Sequence, residues 1–527
     1  MARRPLSDNG WSDPWRLALM LTGVLTTLRL IALFASPLEL YPDEAQYWLW
    51  SRTLDWGYYS KPPVIAWTIW ATTEIGGDAE GWVRLAAPLF HAGATLAVFG
   101  IGRRLYDARV GLAAAALYAL MPGVQLSSQV IATDAPLLFF LSLSLLAYVE
   151  LQRADAARRR AVLAAAFGAS LGLAFLSKYA ALYGVIGLVL HLALSPSARR
   201  AWTAPAAAAS VGAFLLVLAP NLVWNAAHGF ATVQHTAANA AWGGRQLFNF
   251  AELGDFLASQ LGVFGPIPFI VLLGGLAVLI RHRKVSEPDL LLLCFTIPPL
   301  LIVSAQAFIS RANANWSGAG YVAGAVLIAA WLSGRRGRWG LYGAIATQAV
   351  VAALFLVCVV NPPVADRIGL SNSFKRAKGW EALTERIVER TLTEGYRGVT
   401  AVAVDDRFVF NAAAYYGRDF FALPGSPPLR MWVREAHPQN QAETTDPLRP
   451  TEGRRVLAVS IVPAFKGEMV RDFRATADGE IFSVTLDRKR KRRAELFVGE
   501  GFSPRPRDPL TGLPPDATPA PPRADPP

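Results

Sequence analysis

Long apolar runs dominate this chain and restrict its fold more than any other feature. Eleven of them lie close to the ~20 residues that an α-helix needs to cross a bilayer. Of the 527 residues, 53% are hydrophobic and only 17% are charged. Such a sequence predicts an all-α polytopic membrane protein of about 11 transmembrane helices, within a range of about 11–13. We interpret the first run as a retained span. The predicted spans are 15–36, 83–104, 110–126, 134–151, 161–177, 179–195, 203–223, 257–280, 289–309, 316–333 and 340–360.

Arginine clusters lie in alternate connections between these runs. The positive-inside rule places such connections in the cytoplasm, so we expect a multi-pass protein of the inner (plasma) membrane. The net charge of +12 comes largely with these clusters, and without a basic–aromatic module it predicts no nucleic-acid partner. Two cysteines, both within apolar runs, indicate neither a disulfide framework nor a thiolate metal site. The clusters are Arg3/Arg4, Arg103/Arg104/Arg109, Arg153/Arg158/Arg159/Arg160, Arg199/Arg200, Arg281/Arg283/Lys284 and Arg335/Arg336/Arg338.

The composition becomes that of a soluble domain after the last apolar run. An odd number of spans places this region on the face opposite the arginine clusters. Its periodic segments are one helix, 380–393, and three strands, 399–404, 456–461 and 481–486. We therefore expect three regions: a transmembrane domain over 1–360, a small outward-facing α/β domain over 361–502, and a disordered Pro-rich tail over 503–527.

The predicted outer loop 37–82 concentrates ionisable groups that suit catalysis. Adjacent carboxylates, Asp43 and Glu44, begin an aromatic-rich stretch that ends at Lys61 in Ser-Lys-Pro-Pro. A carboxylate accepts a proton from a hydroxyl, a lysine holds a phosphate, and aromatic residues suit the lipid headgroup boundary. Together they predict chemistry on a lipid-linked phosphate. The structural alternative is that Asp43 caps a surface helix and the aromatic residues form an interfacial belt.

Four further groups lie in the predicted outer connections. Asp134 suits catalysis or the cap of the fourth span, and Lys178 binds a lipid phosphate or extends to the surface. His235 is a structural residue or a ligand for a metal or phosphate. Arg311, in R-A-N-A-N-W, closes over an anion or marks the end of a loop. Ionisable groups beside a membrane are costly unless they are used or paired, and these collect on one face.

The order of these motifs resembles that of the bacterial integral-membrane glycosyltransferases of the GT-C class. The motifs are D-E-A-Q-Y-W, S-K-P-P, A-T-D-A-P, L-S-K-Y, H-G-F-A-T-V-Q-H-T and R-A-N-A-N-W. The resemblance covers about residues 15–360 and is closest to the aminoarabinose transferases of lipid A and the related galacturonosyl- and mannosyl-type transferases. It implies a polyprenyl-phosphate sugar as donor, an envelope lipid or glycan as acceptor, and an active site on the periplasmic face.

The resemblance also implies roles for individual residues. Asp43 is the candidate general base with Glu44 beside it, and Asp134 matches the second acidic position. Lys61 and Lys178 match lysines near the lipid phosphate, and we expect Arg311 to assist them. We expect substrate contacts from Tyr47, Tyr58, Tyr59, His235, Asn315 and Trp316.

Two departures from the aminoarabinose branch bear on metal binding and on substrate. Gln46 stands where that branch carries an arginine, and Ser60 stands where it carries a glutamate. In that branch, the histidine that matches His235 helps to bind a metal. No cofactor is certain here, and a divalent metal at His235 is the candidate.

The sequence therefore predicts a hexosyl- or pentosyltransferase that depends on a polyprenyl-phosphate sugar. Asp43 orients the acceptor hydroxyl for in-line attack on the anomeric carbon, and the cations stabilise the departing phosphate. Asp43, Asp134, Lys61 and Lys178 are expected to line one cavity. Two alternatives are a protein O-mannosyltransferase-like enzyme, which differs in its acceptor, and a lipid or sugar transporter or flippase. The transporter is disfavoured because the charges lie at loop ends on one side.

Overall fold

The structure, a computed structural model, describes residues 13–239, 248–393, 397–515 and 517. The predicted cytoplasmic cluster Arg3/Arg4, part of the connection 228–255 and the end of the predicted tail lie outside the described residues. Two compact units share the chain. The membrane unit comprises Met1–Ala35, Asp55–Gly57 and Lys61–Val360, and the sheet unit comprises Ser36–Leu54, Tyr58–Ser60 and Asn361–Pro527.

Helices account for the regular structure described in the membrane unit. Seven of its helices are long and apolar enough to cross a membrane, or eight if one bent pair counts as a single span. Each predicted span contains a helix, so the predicted polytopic all-α architecture is confirmed. The α-helices are Pro14–Ala35, Val64–Gly76, Glu80–Arg84, Ala86–Leu105, Ala108–Leu120, Pro122–Ser127, Asp134–Leu151, Ala157–Ser177, Leu182–Leu194, Pro196–Ala201, Ala204–Ala227, Ala231–Asn239, Phe250–Val263, Pro266–His282, Glu287–Ile309, Tyr321–Leu332 and Arg338–Val360; the 3₁₀ helices are Tyr179–Ala181 and Ala314–Gly320.

The predicted span 257–280 is two helices that meet at an angle of 118°. Gly265 adopts a φ of 102° between them, and Pro266 occupies the first helical position after the break. Proline cannot donate a hydrogen bond to the preceding turn, so the helix restarts in a new direction. Predicted spans 110–126, 179–195 and 316–333 are also shorter than expected, with α-helices of 13, 13 and 12 residues.

Small residues allow the helices of the membrane unit to approach closely. Gly168 in helix Ala157–Ser177 faces helix Ala204–Ala227, where a Cβ on it would lie 2.0 Å from the Ser210 carbonyl oxygen. Glycine is therefore required at this crossing, as is common between membrane helices. The buried His91 ring is hydrogen-bonded within this unit: it lies 3.1 Å from the Tyr118 hydroxyl and 2.9 Å from that of Ser127.

The sheet unit is an α/β domain, as predicted. Its five strands are β1 (Ala401–Val404), β2 (Leu429–Met431), β3 (Arg455–Ser460), β4 (Phe473–Thr485) and β5 (Lys491–Phe502). They are ordered β2-β1-β3-β5-β4, with β2, β1 and β3 parallel and β5 antiparallel to both β3 and β4. Its helices are Pro42–Ser51, Pro362–Arg367, Ser371–Ala377 (3₁₀), Trp380–Leu392, Arg407–Tyr416, Arg418–Phe421, Gln441–Thr445 and Pro463–Val470.

Both faces of the sheet are buried where the parallel strands lie. Val402 in β1 is opposite Leu429 in β2 and Leu457 in β3, and all three join the core with helices Trp380–Leu392 and Arg407–Tyr416. The alternate residues form a second core on the opposite face. Strands buried on both sides have continuous apolar sequences, which explains why the sequence predicts β1 and β3. Strand β2 has only three residues, and β5 begins with three cations. Neither strand therefore has the continuous apolar run from which a buried strand is predicted.

Two predicted boundaries differ from the structure. Residues 36–54 belong to the sheet unit, where the Leu40 amide donates to the Tyr416 hydroxyl at 2.7 Å and Trp48 packs edge-on against Tyr415 at 4.9 Å. The start of the predicted disordered tail is ordered, which is a correction. There, the Arg505 and Arg507 guanidinium groups donate to the buried Asp472 carboxylate at 3.1 and 2.9 Å, and this burial of charge fixes the segment.

Candidate active site

The acidic pair lies in the first turn of helix Pro42–Ser51 and divides into two different environments. Glu44 is fully buried, and its carboxylate accepts a hydrogen bond of 2.8 Å from the backbone N–H of Tyr41 just before the helix. This bond satisfies one of the free amides at the helix start, so Glu44 has a capping role. The Asp43 side chain is about half exposed, at 48%. Asp43 is therefore the member of the pair whose carboxylate is accessible to a substrate.

An arginine from a distant part of the sheet unit contacts this helix. The Arg407 guanidinium donates to the Gln46 side-chain oxygen at 3.0 Å and lies 3.6 Å from the Asp43 carboxylate. The sequence analysis missed Arg407, because no local pattern links position 407 to the acidic pair. Gln46 occupies the position at which the related branch carries an arginine. In this protein the cation beside the acid comes instead from helix Arg407–Tyr416.

The aromatic residues around the acids pack within the sheet unit. Tyr47 and Tyr58 are buried, and the Tyr58 ring stacks on Trp50 with 4.8 Å between ring centroids. The Tyr58 hydroxyl lies 3.1 Å from the backbone carbonyls of both Trp50 and Thr53. The hydroxyl of Tyr59 is exposed and donates to the Pro438 carbonyl at 2.9 Å. These contacts give Tyr58 a structural role, and substrate binding by Tyr47 and Tyr59 stays a prediction.

Three predicted site residues meet in the membrane unit. The Lys178 ammonium donates to both oxygens of the Asp134 carboxylate, at 2.9 and 3.1 Å, and the Asn315 amide donates to the same carboxylate at 3.2 Å. Both charged side chains are 19% exposed. Asp134 begins helix Asp134–Leu151 without capping it, since its carboxylate is used by Lys178. An ion pair this enclosed is stabilised by mutual attraction and positions the lysine.

A polar network holds residues 55–57 in the membrane unit. The Trp224 indole donates to the Asp55 carboxylate at 2.8 Å, and the Asn221 amide donates to the Trp56 carbonyl at 2.6 Å. Gly57 is required here, because a Cβ would lie 2.4 Å from the Trp224 ring. Asn221 and Asn225 face the same way one turn apart in an apolar helix, a signal for a functional or structural site that the sequence analysis did not use. Lys61 follows this network and is partly buried.

The remaining predicted residues lie in separate connections of the membrane unit. Arg311 is exposed between helix Glu287–Ile309 and the 3₁₀ helix Ala314–Gly320, and Trp316 packs partly buried against the helical core. His235 is in helix Ala231–Asn239 and is partly buried. Within the described ranges, no group of three His, Cys, Asp or Glu side chains is arranged to hold a metal ion. The metal at His235 therefore stays a prediction without a ligand set.

The structure thus brings together Asp134, Lys178 and Asn315 in one unit and Asp43 with Arg407 in the other. The two acids belong to different units, so the prediction that they line one cavity stays a prediction. Within the sheet unit, Asp43 also lines a basic cavity with Lys375, Arg376 and Arg492. Sequence analysis pointed to none of these three cations.

One known protein is similar to this chain in sequence, and another is similar to it in structure. The lipid A galacturonosyltransferase RgtD of Rhizobium johnstonii is 36% identical over 412 residues, which cover 77% of this chain and 83% of the relative. ArnT from Cupriavidus metallidurans, bound to undecaprenyl phosphate, matches with a TM-score of 0.62 and 16% identity, covering 95% of this chain and 100% of the ArnT chain. Its apo structure matches with a TM-score of 0.61 over 91% of this chain and 97% of the ArnT chain.

A family model described as dolichyl-phosphate-mannose-protein mannosyltransferase also matches residues 60–224. The likeness to ArnT shows a common fold, and the identity to RgtD extends over most of both sequences. The resemblance predicted from the motifs is confirmed, and so is the prediction of a glycosyltransferase. The chain belongs to the GT-C glycosyltransferase family that includes RgtD, and it has the polytopic fold of ArnT.

Proposed function

We propose that this enzyme transfers a sugar from a polyprenyl-phosphate donor to an envelope lipid of the lipid A class. The observation that carries the proposal is the 36% identity to a lipid A galacturonosyltransferase across 83% of its length. The fold shared with an ArnT structure that holds undecaprenyl phosphate supports the choice of donor.

Asp43 acts as the general base in this proposal. Its half-exposed carboxylate accepts the proton of the acceptor hydroxyl as that oxygen attacks the anomeric carbon of the donor. The new bond joins the acceptor oxygen to the sugar, and the bond between sugar and phosphate oxygen breaks with its electron pair on the phosphate. The buried cap of Glu44 fixes the helix start, and Arg407 positions the acid.

Lys178 stabilises the negative charge that the departing polyprenyl phosphate gains. The ammonium group is fixed by Asp134, and Asn315 in turn holds that carboxylate, so the cation is oriented before the donor arrives. An ammonium has three donors, and one remains for a phosphate oxygen while two face the carboxylate. Lys61 and Arg311 are further phosphate-binding cations, and Tyr47, Tyr59, His235 and Trp316 are substrate contacts in this proposal.

The catalytic residues lie on the periplasmic side of the inner membrane in this proposal. The alternation of arginine clusters supports that orientation. Single-cysteine labelling from outside checks it after Cys294 and Cys358 have been replaced. We expect a cysteine at position 400 to react and one at position 158 to be protected. The reverse result would invert the topology.

A protein O-mannosyltransferase is the second candidate, favoured only by the family model over residues 60–224. Mass spectrometry of lipid A and of envelope glycoproteins, from cells with and without the gene, separates the two. We expect one added sugar on lipid A that depends on the gene and on an intact Asp43. A sugar found on protein with unchanged lipid A would replace the proposal, and loss of lipid export with no change in glycosylation would indicate a transporter.

A further inference from the structure

The turn between β4 and β5 carries the longest run of cations in the chain. Residues 488–493 read R-K-R-K-R-R, and one acid, Asp487, precedes them. The Asp487 carboxylate accepts hydrogen bonds from the backbone amides of Lys489 at 2.8 Å and Arg490 at 3.0 Å, and it lies 3.4 Å from the Arg490 guanidinium. The acid therefore fixes the shape of the turn, and the run keeps a large excess of positive charge.

The cations of this run differ in exposure and in partners. Arg492 is buried and donates to the Lys378 carbonyl at 3.1 Å, and Arg493 pairs with Glu495 at 2.9 Å. Three others are exposed and form no ion pair within the described part of the chain: Arg488, Lys489 and Lys491. Like charges this close together repel one another, so an anionic surface beside the turn would lower their free energy.

Arg490, the remaining cation, joins this turn to a second exposed segment of the sheet unit. Its guanidinium group donates to the Asn372 side-chain oxygen at 2.8 Å and to the Ser371 hydroxyl at 3.1 Å. Just before Ser371, Ile368 and Leu370 are 47% and 45% exposed. A direct side-chain contact thus holds exposed apolar residues next to the exposed cations.

The backbone keeps these two apolar residues outside the core. After helix Pro362–Arg367, Gly369 has a φ of 81°, and the Leu370 amide donates to the Ala365 carbonyl at 2.8 Å. A glycine in the left-handed region lets the chain turn sharply at a helix end. Apart from its chain neighbours, no described residue has an atom within 4 Å of the position of a Cβ on Gly369. The chain is therefore open to its surroundings between Ile368 and Leu370.

The same segment lies close along the chain to the last apolar helix. Residue 361 follows helix Arg338–Val360 directly, and ten residues lead from there to Ser371. Six of them form a helix of ~9 Å and the others extend by at most ~14 Å, so Ser371 lies within ~25 Å of residue 361. Segments that lie in a membrane interface combine apolar side chains with lysine and arginine in this way.

We propose that these exposed residues form a docking patch for the surface of a membrane rich in anionic phospholipid. The docking patch consists of Ile368, Leu370, Arg488, Lys489 and Lys491. Its cations contact the lipid phosphates, and its two apolar side chains enter the boundary between headgroups and acyl chains. Neither contact involves sugar transfer, so docking does not depend on the proposed function.

Docking has a consequence for the candidate general base. The Tyr41 hydroxyl donates to the Ser373 carbonyl at 2.9 Å, so the segment that carries the apolar pair contacts the residue just before helix Pro42–Ser51. A docked patch therefore holds Asp43 near the lipid headgroups, where a lipid acceptor presents its hydroxyl. Only this consequence rests on the proposed function.

Fluorescence quenching by lipid headgroups in nanodiscs tests docking in the full chain. Cys294 and Cys358 are replaced, and a fluorophore is attached at Thr485→Cys, an exposed position at the end of β4 beside the turn. The discs hold nitroxide-headgroup lipid in phosphatidylcholine alone or mixed with phosphatidylglycerol. We expect quenching to be ~3-fold stronger or more in the phosphatidylglycerol discs. Salt at ~1 M should remove most of that difference, because the Debye length falls to ~3 Å.

Charge variants separate the docking patch from the net charge of the sheet unit. Arg488→Gln/Lys489→Gln should lower quenching in phosphatidylglycerol discs to the level in phosphatidylcholine, and Arg488→Lys/Lys489→Arg should retain it. Arg454→Gln/Arg474→Gln is the matched control. It also removes two exposed cations, but at the other end of the sheet, where residues 455 and 475 both lie opposite Glu500.

The apolar pair is tested in the same assay. Ile368→Ser/Leu370→Ser should weaken quenching in both kinds of disc and keep the preference for phosphatidylglycerol, because the burial of apolar area does not depend on lipid charge. Leu423→Ser replaces an apolar residue that is 57% exposed elsewhere in the sheet unit, and it should have no effect.

Docking is excluded if wild-type protein is quenched equally in both discs at low salt, or if the glutamine variant keeps the preference. A control variant that lowers quenching as much as the glutamine variant would show that net charge alone acts. Quenching that rises with added lipid A but not with phosphatidylglycerol would make the patch a surface for the acceptor instead. The salt dependence is measured on the unaltered turn, so it decides the question even where a variant fails to fold. A chain that docks but transfers no sugar would contradict the proposed function and leave docking intact.

Discussion

The two predicted catalytic acids, Asp134 in the membrane unit and Asp43 in the sheet unit, have different surroundings. In the membrane unit, Asp134 accepts two hydrogen bonds from Lys178 and one from Asn315, so its charge is fully engaged. In the sheet unit, Asp43 is about half exposed and has one cation at 3.6 Å. A general base needs an accessible lone pair, whereas a carboxylate that fixes a cation needs close contact. The difference favours Asp43 as the reactive acid and Asp134 as the residue that positions Lys178.

Asp43→Asn should have the largest effect. Asparagine has the size of aspartate but cannot accept the proton, and Glu44 rather than Asp43 caps the helix, so we expect folded protein and a ~10²–10⁴-fold lower transfer rate. Transfer from a purified polyprenyl-phosphate sugar in detergent measures the rate, and circular dichroism checks the fold. Near-normal turnover would show that Asp43 is not the general base, and Asp134 would become the candidate.

Removal of the membrane-unit cation should have the next largest effect. Lys178→Met deletes a charged hydrogen bond to phosphate, so we expect transfer to fall ~10–100-fold with a raised KM for the donor. A double-mutant cycle with Asp134→Asn should show a coupling of ~0.5–3 kcal/mol in stability. Arg158→Gln, an exposed arginine at the start of helix Ala157–Ser177 in the same unit, is the control. If the two substitutions are coupled in stability but Lys178→Met leaves the transfer rate and the donor KM unchanged, the pair has only a structural role.

Asp405 contrasts with Asp134, because its buried carboxylate is held by neutral donors and pairs with no cation among the described residues. It follows β1 and accepts hydrogen bonds from the Ser460 hydroxyl and the Ile461 amide, and burial raises its pKa to about 7. The folded state therefore retains a proton that the unfolded chain releases near pH 4.

Stability of the sheet unit should fall as pH rises from about 4 to 7, by up to ~1.4 kcal/mol per pH unit. Asp405→Asn should remove this slope in thermal unfolding of the purified chain, and the exposed Asp419→Asn should not. An unchanged slope in Asp405→Asn would assign the pH dependence to other groups.

Arg407 should have the smallest effect, because it pairs with a half-exposed acid. Such pairs contribute ~0.2–1 kcal/mol, so Arg407→Gln should lower kcat about 2–5-fold without changing the acceptor KM. Arg407→Lys should restore part of the rate, whereas Arg418→Gln, beside the same helix, should have no effect. Lower thermal stability with an unchanged kcat would show that Arg407 only joins two helices.

Local sequence patterns determined the membrane architecture and the acidic motif. Apolar runs of bilayer length specify helices because each run must satisfy its own backbone hydrogen bonds in lipid. The continuous apolar residues of β1 and β3 likewise indicated strands that are buried on both faces of the sheet. The same patterns overestimated one span, 257–280, where Pro266 breaks the helix. They also missed β5, whose charged first residues hide its alternating burial.

The partners of the site residues were decided by tertiary structure alone. Gln46 and Arg407 are 361 residues apart, and Asp134 and Lys178 are 44 residues apart. Hydrophobic periodicity predicts which face of a helix or strand is buried. It does not predict which charged residue from a distant part of the chain will contact that element. The sequence therefore determined which acids and cations lie in the connections between apolar runs. The packing of helix Pro42–Ser51 into the sheet unit decided which acid stayed accessible, because it buried Glu44 as a cap and left Asp43 half exposed.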